Sequence, residues 1–250
     1  MFTLASFFVA LIKIIISELD IYVKIRLSEE AHKTLLKGWG SSMIIVRSVI
    51  LWFIITIFIN AYLMTFPIPV LRKRDYPANY VIQRSNRIDK QTKRECAAFS
   101  TAYVLRHFGL EADGEELYTN FPSKLRSGNV YPKGIRTVLR KNGFKTNYYK
   151  GNINTLKYEV SKGKPVIVFI KVHKESKDLH FVPVIGYDKE YIYLSESFSQ
   201  LVNCNDENIG YNRKVPINEF RKLWNVKNIN MPLYSNTYIT VDTKVTKKEI

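Results

Sequence analysis

The chain has 250 residues, room for one domain of ordinary size with further segments attached. Its net charge of +16, from 38 basic and 22 acidic side chains, invites a polyanionic partner. There is, however, no nucleic-acid module, no metal-finger spacing and no basic helix with interleaved aromatics, which argues against nucleic acid and for a solvated surface beside an anionic membrane.

In chain order, residues 2–17 are apolar apart from Lys13. They are short for a span and lack the basic start and small-residue cleavage site of a signal peptide, so a non-cleaved anchor or interfacial helix is expected. Ser48 to Phe66 is a run of 19 residues without a charge. That is about the length needed to cross a hydrocarbon core of ~30 Å. Arg47 precedes it, Pro67 and Pro69 end it, and Trp52 and Tyr62 stand towards its ends, where amphipathic rings favour the interface. The pattern predicts a transmembrane helix over 48–66, a membrane-anchor region over 1–71 with lipid as its partner, and a separate domain over 72–250. Basic residues balance on the two sides of the run. If 2–17 also crosses, the loop carrying Lys24, Arg26, Lys33, Lys37 and Arg47 lies inside, and the domain is extracytoplasmic.

Residues 75–90 read as an extended linker. From Cys96 to Phe108, apolar residues at three- and four-residue steps (Ala98, Ala102, Leu105, Phe108) predict a helix with one apolar face, stopped by Gly109. Shorter helices follow within Glu111–Phe121, after Tyr131–Pro132 up to Asn142–Gly143, and after an Asn152 or Asn154 cap up to Gly163. From Pro165 the period changes. Val166–Val172, Leu179–Tyr187 and Tyr191–Ser195 read as strands, with Pro183 marking an edge or bulge. A short helix within 215–226 and a strand over Thr237–Val241 complete an α+β pattern, helices first and antiparallel sheet second.

Cys96 at the helix start carries the chemistry. A thiol there sits at the positive end of the helix dipole, which favours the thiolate nucleophile. Gln91, five residues upstream, offers an amide N–H for a developing oxyanion. Cys204 lies in a polar loop with no helix start behind it, and two cysteines make no disulfide framework. A thiolate needs a base and a group that orients it. His107 lies three turns along the Cys96 helix and cannot reach the thiol. His32 belongs to the anchor region, which leaves His173 and His180. If the turn after His180 centres near Asp188, His180 and Glu196 stand opposite each other across a hairpin, close enough for a carboxylate to hold the imidazole.

The order Gln91, Cys96, His180, Glu196 resembles that of the papain-like cysteine peptidases of peptidase family thirty-nine, the double-glycine leader peptidases. The stretch Cys96–Gly109 is similar in length and pattern to that family's nucleophile helix. Lys162–Val168 resembles its pre-strand signature, and His180–Leu194 its hairpin. The resemblance covers roughly residues 80–200. It implies a papain-like fold and a cysteine peptidase acting on a peptide or protein substrate without a cofactor or metal, with Cys96, His180, Glu196 and Gln91 as catalytic residues. Ala97–Ala98 stand where the family has Gly-Pro, and Glu196 stands where it has Asp. These departures leave two alternatives, a peptide-binding module of the same fold and a cysteine acyltransferase.

Overall fold

The computed structural model describes residues 45–58, 66–70, 75–204, 210–227 and 233–243. The chain divides into two compact units, Met1–Thr56 and Ile57–Ile250. Residues 45–58 form helix α1, and its apolar side chains, among them Val49, Leu51, Trp52 and Phe53, are exposed. Residues 59–65 of the expected 48–66 span, the apolar segment 2–17 and His32 all lie outside the described residues. Among the described residues no helix is long and apolar enough to cross a membrane.

The larger unit is α+β. Its elements run β1 (Ile68–Pro69), β2 (Tyr80–Val81), α2 (Cys96–His107), α3 (Gly114–Thr119), α4 (Pro132–Lys141), β3 (Phe144–Lys150), α5 (Ile153–Val160), β4 (Val166–Lys171), β5 (Leu179–Tyr187), β6 (Tyr191–Leu194), β7 (Arg213–Pro216), α6 (Ile217–Trp224) and β8 (Thr237–Thr243). The sheet order is β1-β3-β8-β4-β5-β6-β7, with β2 added on β5. The β1–β3 pair is parallel and the other pairs are antiparallel.

The unbroken apolar run of β4 has a simple cause. Ile167 and Phe169 join a core with α2 and α4 residues such as Val104, Leu105, Ile135 and Leu139. Val166, Val168 and Ile170 join a second core with Leu156 of α5 and Phe220, Leu223 and Trp224 of α6. Both faces of the strand are buried, so neither can be polar. Each such side chain contributes about 1.5–3 kcal/mol on burial.

Several expectations are met at the level of single residues. Gly109 has φ 85°, the left-handed stop after α2. The Asn152 side chain accepts hydrogen bonds from the backbone N–H groups of Asn154 and Thr155 and caps α5. Others are corrected. α2 does not have one apolar face: Ala97 through Leu105 are all buried, because the helix is enclosed by the sheet and its neighbouring helices. Pro183 is not on an edge, since β5 lies between β4 and β6; the irregularity falls just beyond it, between Val184 and Gly186. β3 and β7 were not expected from the sequence. In β3 the buried Phe144, Thr146 and Tyr148 alternate with Lys145 and Asn147, a period-two pattern diluted by polar residues.

Candidate active site

Cys96 is the first residue of α2 and is partly exposed. The small side chains that follow it let the helix lie close to β5, where the Ser100 hydroxyl donates to the Phe181 carbonyl at 3.0 Å. Farther along, the Tyr103 hydroxyl donates to the Gly210 carbonyl at 3.0 Å, and Arg106 pairs with Asp89 at 2.9 Å. These bonds hold the middle and the C-terminal end of the helix whose first residue is Cys96. Cys96 lines a cleft of about 790 Å³, whose walls include Tyr118, Tyr131, Phe169, Phe181, Phe198 and Tyr234.

His180 stands near the start of β5, fully buried, and its Nε2 lies 2.8 Å from Glu196 Oε1. The two residues are not directly opposite. Val184 pairs with Leu194 and the Ser195 N–H reaches the Pro183 carbonyl, so Glu196 continues the ladder across from Val182. The extra residue in β5 at the irregularity, together with a turn centred beyond Asp188, moves the acid to a diagonal position. Diagonal neighbours lie about 7–8 Å apart at Cα, a gap a long side chain crosses. The methylene that glutamate has beyond aspartate suits this register. The Phe198 ring covers the imidazole at 4.7 Å between centroids.

Burial alone would push the His180 pKa down. The Glu196 carboxylate and the Cys96 thiol outweigh it, and the imidazole is held well above its ordinary range. Burial would likewise raise the Glu196 carboxyl, but the charges of His180 and Arg213 and the Phe198 N–H bring it well below the usual carboxylate range. With Nε2 taken by Glu196, the buried Nδ1 is the ring nitrogen left for the Cys96 thiol.

Gln91 is buried and held at both ends of its amide. Its Nε2 donates to the Lys93 carbonyl at 2.6 Å, and its Oε1 accepts from the Ser197 hydroxyl at 2.6 Å. It is tied to the strand end that carries Glu196 and is not among the residues lining the cleft. Of the remaining histidines, His107 is buried in α2 with its pKa pushed down to about 4 by burial and Arg84, and His173 is exposed after β4. Cys204 lies against the small cluster of Ile82, Tyr103, Ile185 and Tyr211. Cys96 and Cys204 are not joined in a disulfide. Among the described residues no group of acidic, histidine or cysteine side chains could hold a metal ion.

Two residues of the site were not anticipated. Arg213, buried on β7, donates its NH1 to Glu196 Oε2 at 2.8 Å. Asn212 brackets the Glu196 backbone, accepting its N–H at 2.7 Å and donating to its carbonyl at 2.8 Å. A buried glutamate calls for a cation nearby, but β7 reads Arg-Lys-Val-Pro, too short and too polar to be recognised as the neighbouring strand.

No curated protein matches the chain. Among solved structures it is similar to the peptidase domain of Streptococcus ComA, a bi-functional ABC transporter of a quorum sensing pathway, at 16% identity over 64% of this chain and 100% of that chain, with a TM-score of 0.49. It is similar to a double glycine motif protease from an AMS/PCAT transporter, solved in complex with the leader peptide, at 18% identity over 67% and 98% of the two chains and a TM-score of 0.46. The Carica candamarcensis cysteine protease CMS1MS2 in complex with E-64 matches at 9% identity over 67% and 99%, with a TM-score of 0.44. A family model matches residues 78–228, a stretch that runs from before Gln91 to beyond Arg213, and the chain belongs to the Peptidase_C39 like family.

Proposed function

We propose that the protein is a cysteine peptidase in which Cys96 is the nucleophile, His180 the general base and then acid, and Glu196 the group that orients and charges the imidazole. The observation that carries this reading is the fully buried His180–Glu196 contact of 2.8 Å beside a thiol that opens onto a cleft. The thiol passes its proton to His180 Nδ1, and the thiolate attacks the carbonyl carbon of a peptide bond in the cleft. The backbone N–H of Cys96, in the first turn where no intrahelical carbonyl reaches it, receives the oxyanion. The second N–H of Gln91 Nε2, the one not given to the Lys93 carbonyl, joins it there when the side chain turns from behind the cleft wall on substrate binding. His180 then protonates the leaving amine as the C–N bond breaks, and water releases the acyl group from sulfur. The substrate is a peptide or protein segment laid along the aromatic walls of the cleft.

The same proposal places the domain at a cell membrane on its extracytoplasmic side. It is supported by the uncharged run Ser48–Phe66 and by the outward-facing apolar side chains of α1. Sodium carbonate extraction of membranes tests it: the full chain stays in the pellet, and Ile54→Arg with Ile55→Arg releases it. Release of the unaltered chain overturns the anchor.

The peptidase reading is tested with a quenched peptide library and the Cys96→Ala and His180→Ala variants. The expected result is turnover by the wild type and a loss of at least about 10³-fold in both variants. Turnover that survives Cys96→Ala overturns the assignment. Peptide binding by the wild type with no turnover supports a binding module of the same fold, and transfer to an added amine in place of water supports an acyltransferase.

A further inference from the structure

Glu196 is a fully buried carboxylate with every side-chain contact assigned. Oε1 accepts from His180 Nε2 and from the Phe198 N–H at 2.8 Å each, and Oε2 accepts from Arg213 NH1 at 2.8 Å. The charged and titratable groups around it are His180 from β5, Arg213 from β7, and Lys90, whose Nζ reaches the Glu196 carbonyl at 3.3 Å. Cys96 lies beyond His180. The side chains thus form a line of thiol, imidazole, carboxylate and guanidinium, which alternates in sign when the thiol has given its proton to the imidazole.

A carboxylate buried without a second cation faces a large desolvation cost and neutralises instead. Once protonated, it no longer supports the imidazolium, and the thiolate loses its counter-ion. Lys90 does not fill this role, because it touches the carbonyl and not the carboxylate. Arg213 does, through a charged hydrogen bond on the oxygen that His180 leaves open. The neighbouring Asn212 holds the Glu196 backbone in place independently of charge. From this geometry we infer that Arg213 is a positioning residue that keeps Glu196 ionised in acid, and so extends the thiolate–imidazolium pair to lower pH than a His–Glu pair alone would reach.

The inference rests on the peptidase reading of Cys96 and His180, and its test separates the two. The rate of iodoacetamide alkylation at Cys96 is measured by peptide mass spectrometry from pH 4 to pH 9, with Cys204 in the same sample as internal reference. In Arg213→Gln, which keeps a polar side chain but removes the charge and stops short of the carboxylate, the acid limb of the Cys96 profile moves up by about one pH unit or more. In Arg213→Lys the limb stays near its wild-type position. Adding Arg213→Gln to Glu196→Gln moves nothing further, because Arg213 acts through the carboxylate. This double variant also carries no unpaired buried carboxylate, so it remains informative if Arg213→Gln alone does not fold. A wild-type profile with an acid limb that Arg213→Gln leaves unmoved overturns the inference and spares the peptidase reading. An Arg213→Gln shift of equal size in the Glu196→Gln background also overturns it. A wild-type Cys96 whose alkylation is indifferent to His180→Ala overturns both.

Discussion

The two halves of the site are built on different physics. On the helix side, Cys96 is partly exposed at the start of α2, and its position is set by packing: small residues against β5, and hydrogen bonds along the helix to backbone carbonyls. On the sheet side, His180, Glu196 and Arg213 are buried together, and their positions are set by charge. In the proposed function the thiol must meet substrate, and its half is the one open to the cleft. In that proposal the imidazole and carboxylate need only meet each other and the thiol, and they are buried away from water, which strengthens their mutual attraction. That half is also the more fragile one, since removing one member of a buried ion pair strands the rest.

The sharpest way to break the comparison is Glu196→Ala. It leaves Arg213 and His180 without their shared carboxylate, and a destabilisation of about 3–5 kcal/mol is expected by urea titration, against less than about 1 kcal/mol for Cys96→Ala. Similar values for the two variants would mean that the sheet half is not held by its charges. Glu196→Asp probes the register itself. The shorter side chain withdraws from a diagonal His180, and turnover falls by about 10–10² even though the acid is retained.

Gly186→Ala comes next. An added Cβ would stand 2.9 Å from the Tyr80 carbonyl and 2.9 Å from the Tyr193 ring, so β2 must move off β5. A cost of about 1–3 kcal/mol is expected in thermal unfolding, because backbone on one side cannot yield as a side chain would. A smaller effect is carried by pH. His180 is raised in the folded protein, so its contribution to stability is complete below its ordinary value of 6.5 and is lost as pH rises through the raised value. Glu196 is depressed, so its contribution is complete above 4.5 and is lost as pH falls through the lowered value. Denaturation midpoints of wild type and a His180→Ala, Glu196→Gln pair should therefore differ most between these limits and converge outside them. The smallest expected effect is that of Ser197→Ala, which frees one end of Gln91 at a cost of about 1 kcal/mol and lowers kcat more than it raises KM.

Much of the fold was legible because its signals are local. Gly109 stops a helix through its own φ, Asn152 caps one through two adjacent N–H groups, and the run from Val166 to Ile170 is apolar on both sides because two cores meet across it. Cys96 and the choice of His180 over His107 were legible for the same reason, since helix position and distance along one helix follow from counting residues. Glu196 could be paired with His180 but not set in register: its place on the ladder depends on where the β5–β6 turn closes and on one extra residue in β5, and a shift of that size changes which side chains face each other.

The sequence by itself determined the class of elements, their order and the place of Cys96 at a helix start, because helix caps, hydrophobic period and strand composition act within a few residues of each other. Tertiary structure alone decided what surrounds the acid. Arg213 and Asn212 stand 17 and 16 residues beyond Glu196 and are brought back to it by β7 pairing with β6. No local pattern could announce that contact, because a buried charge is satisfied by whichever strand the sheet lays beside it.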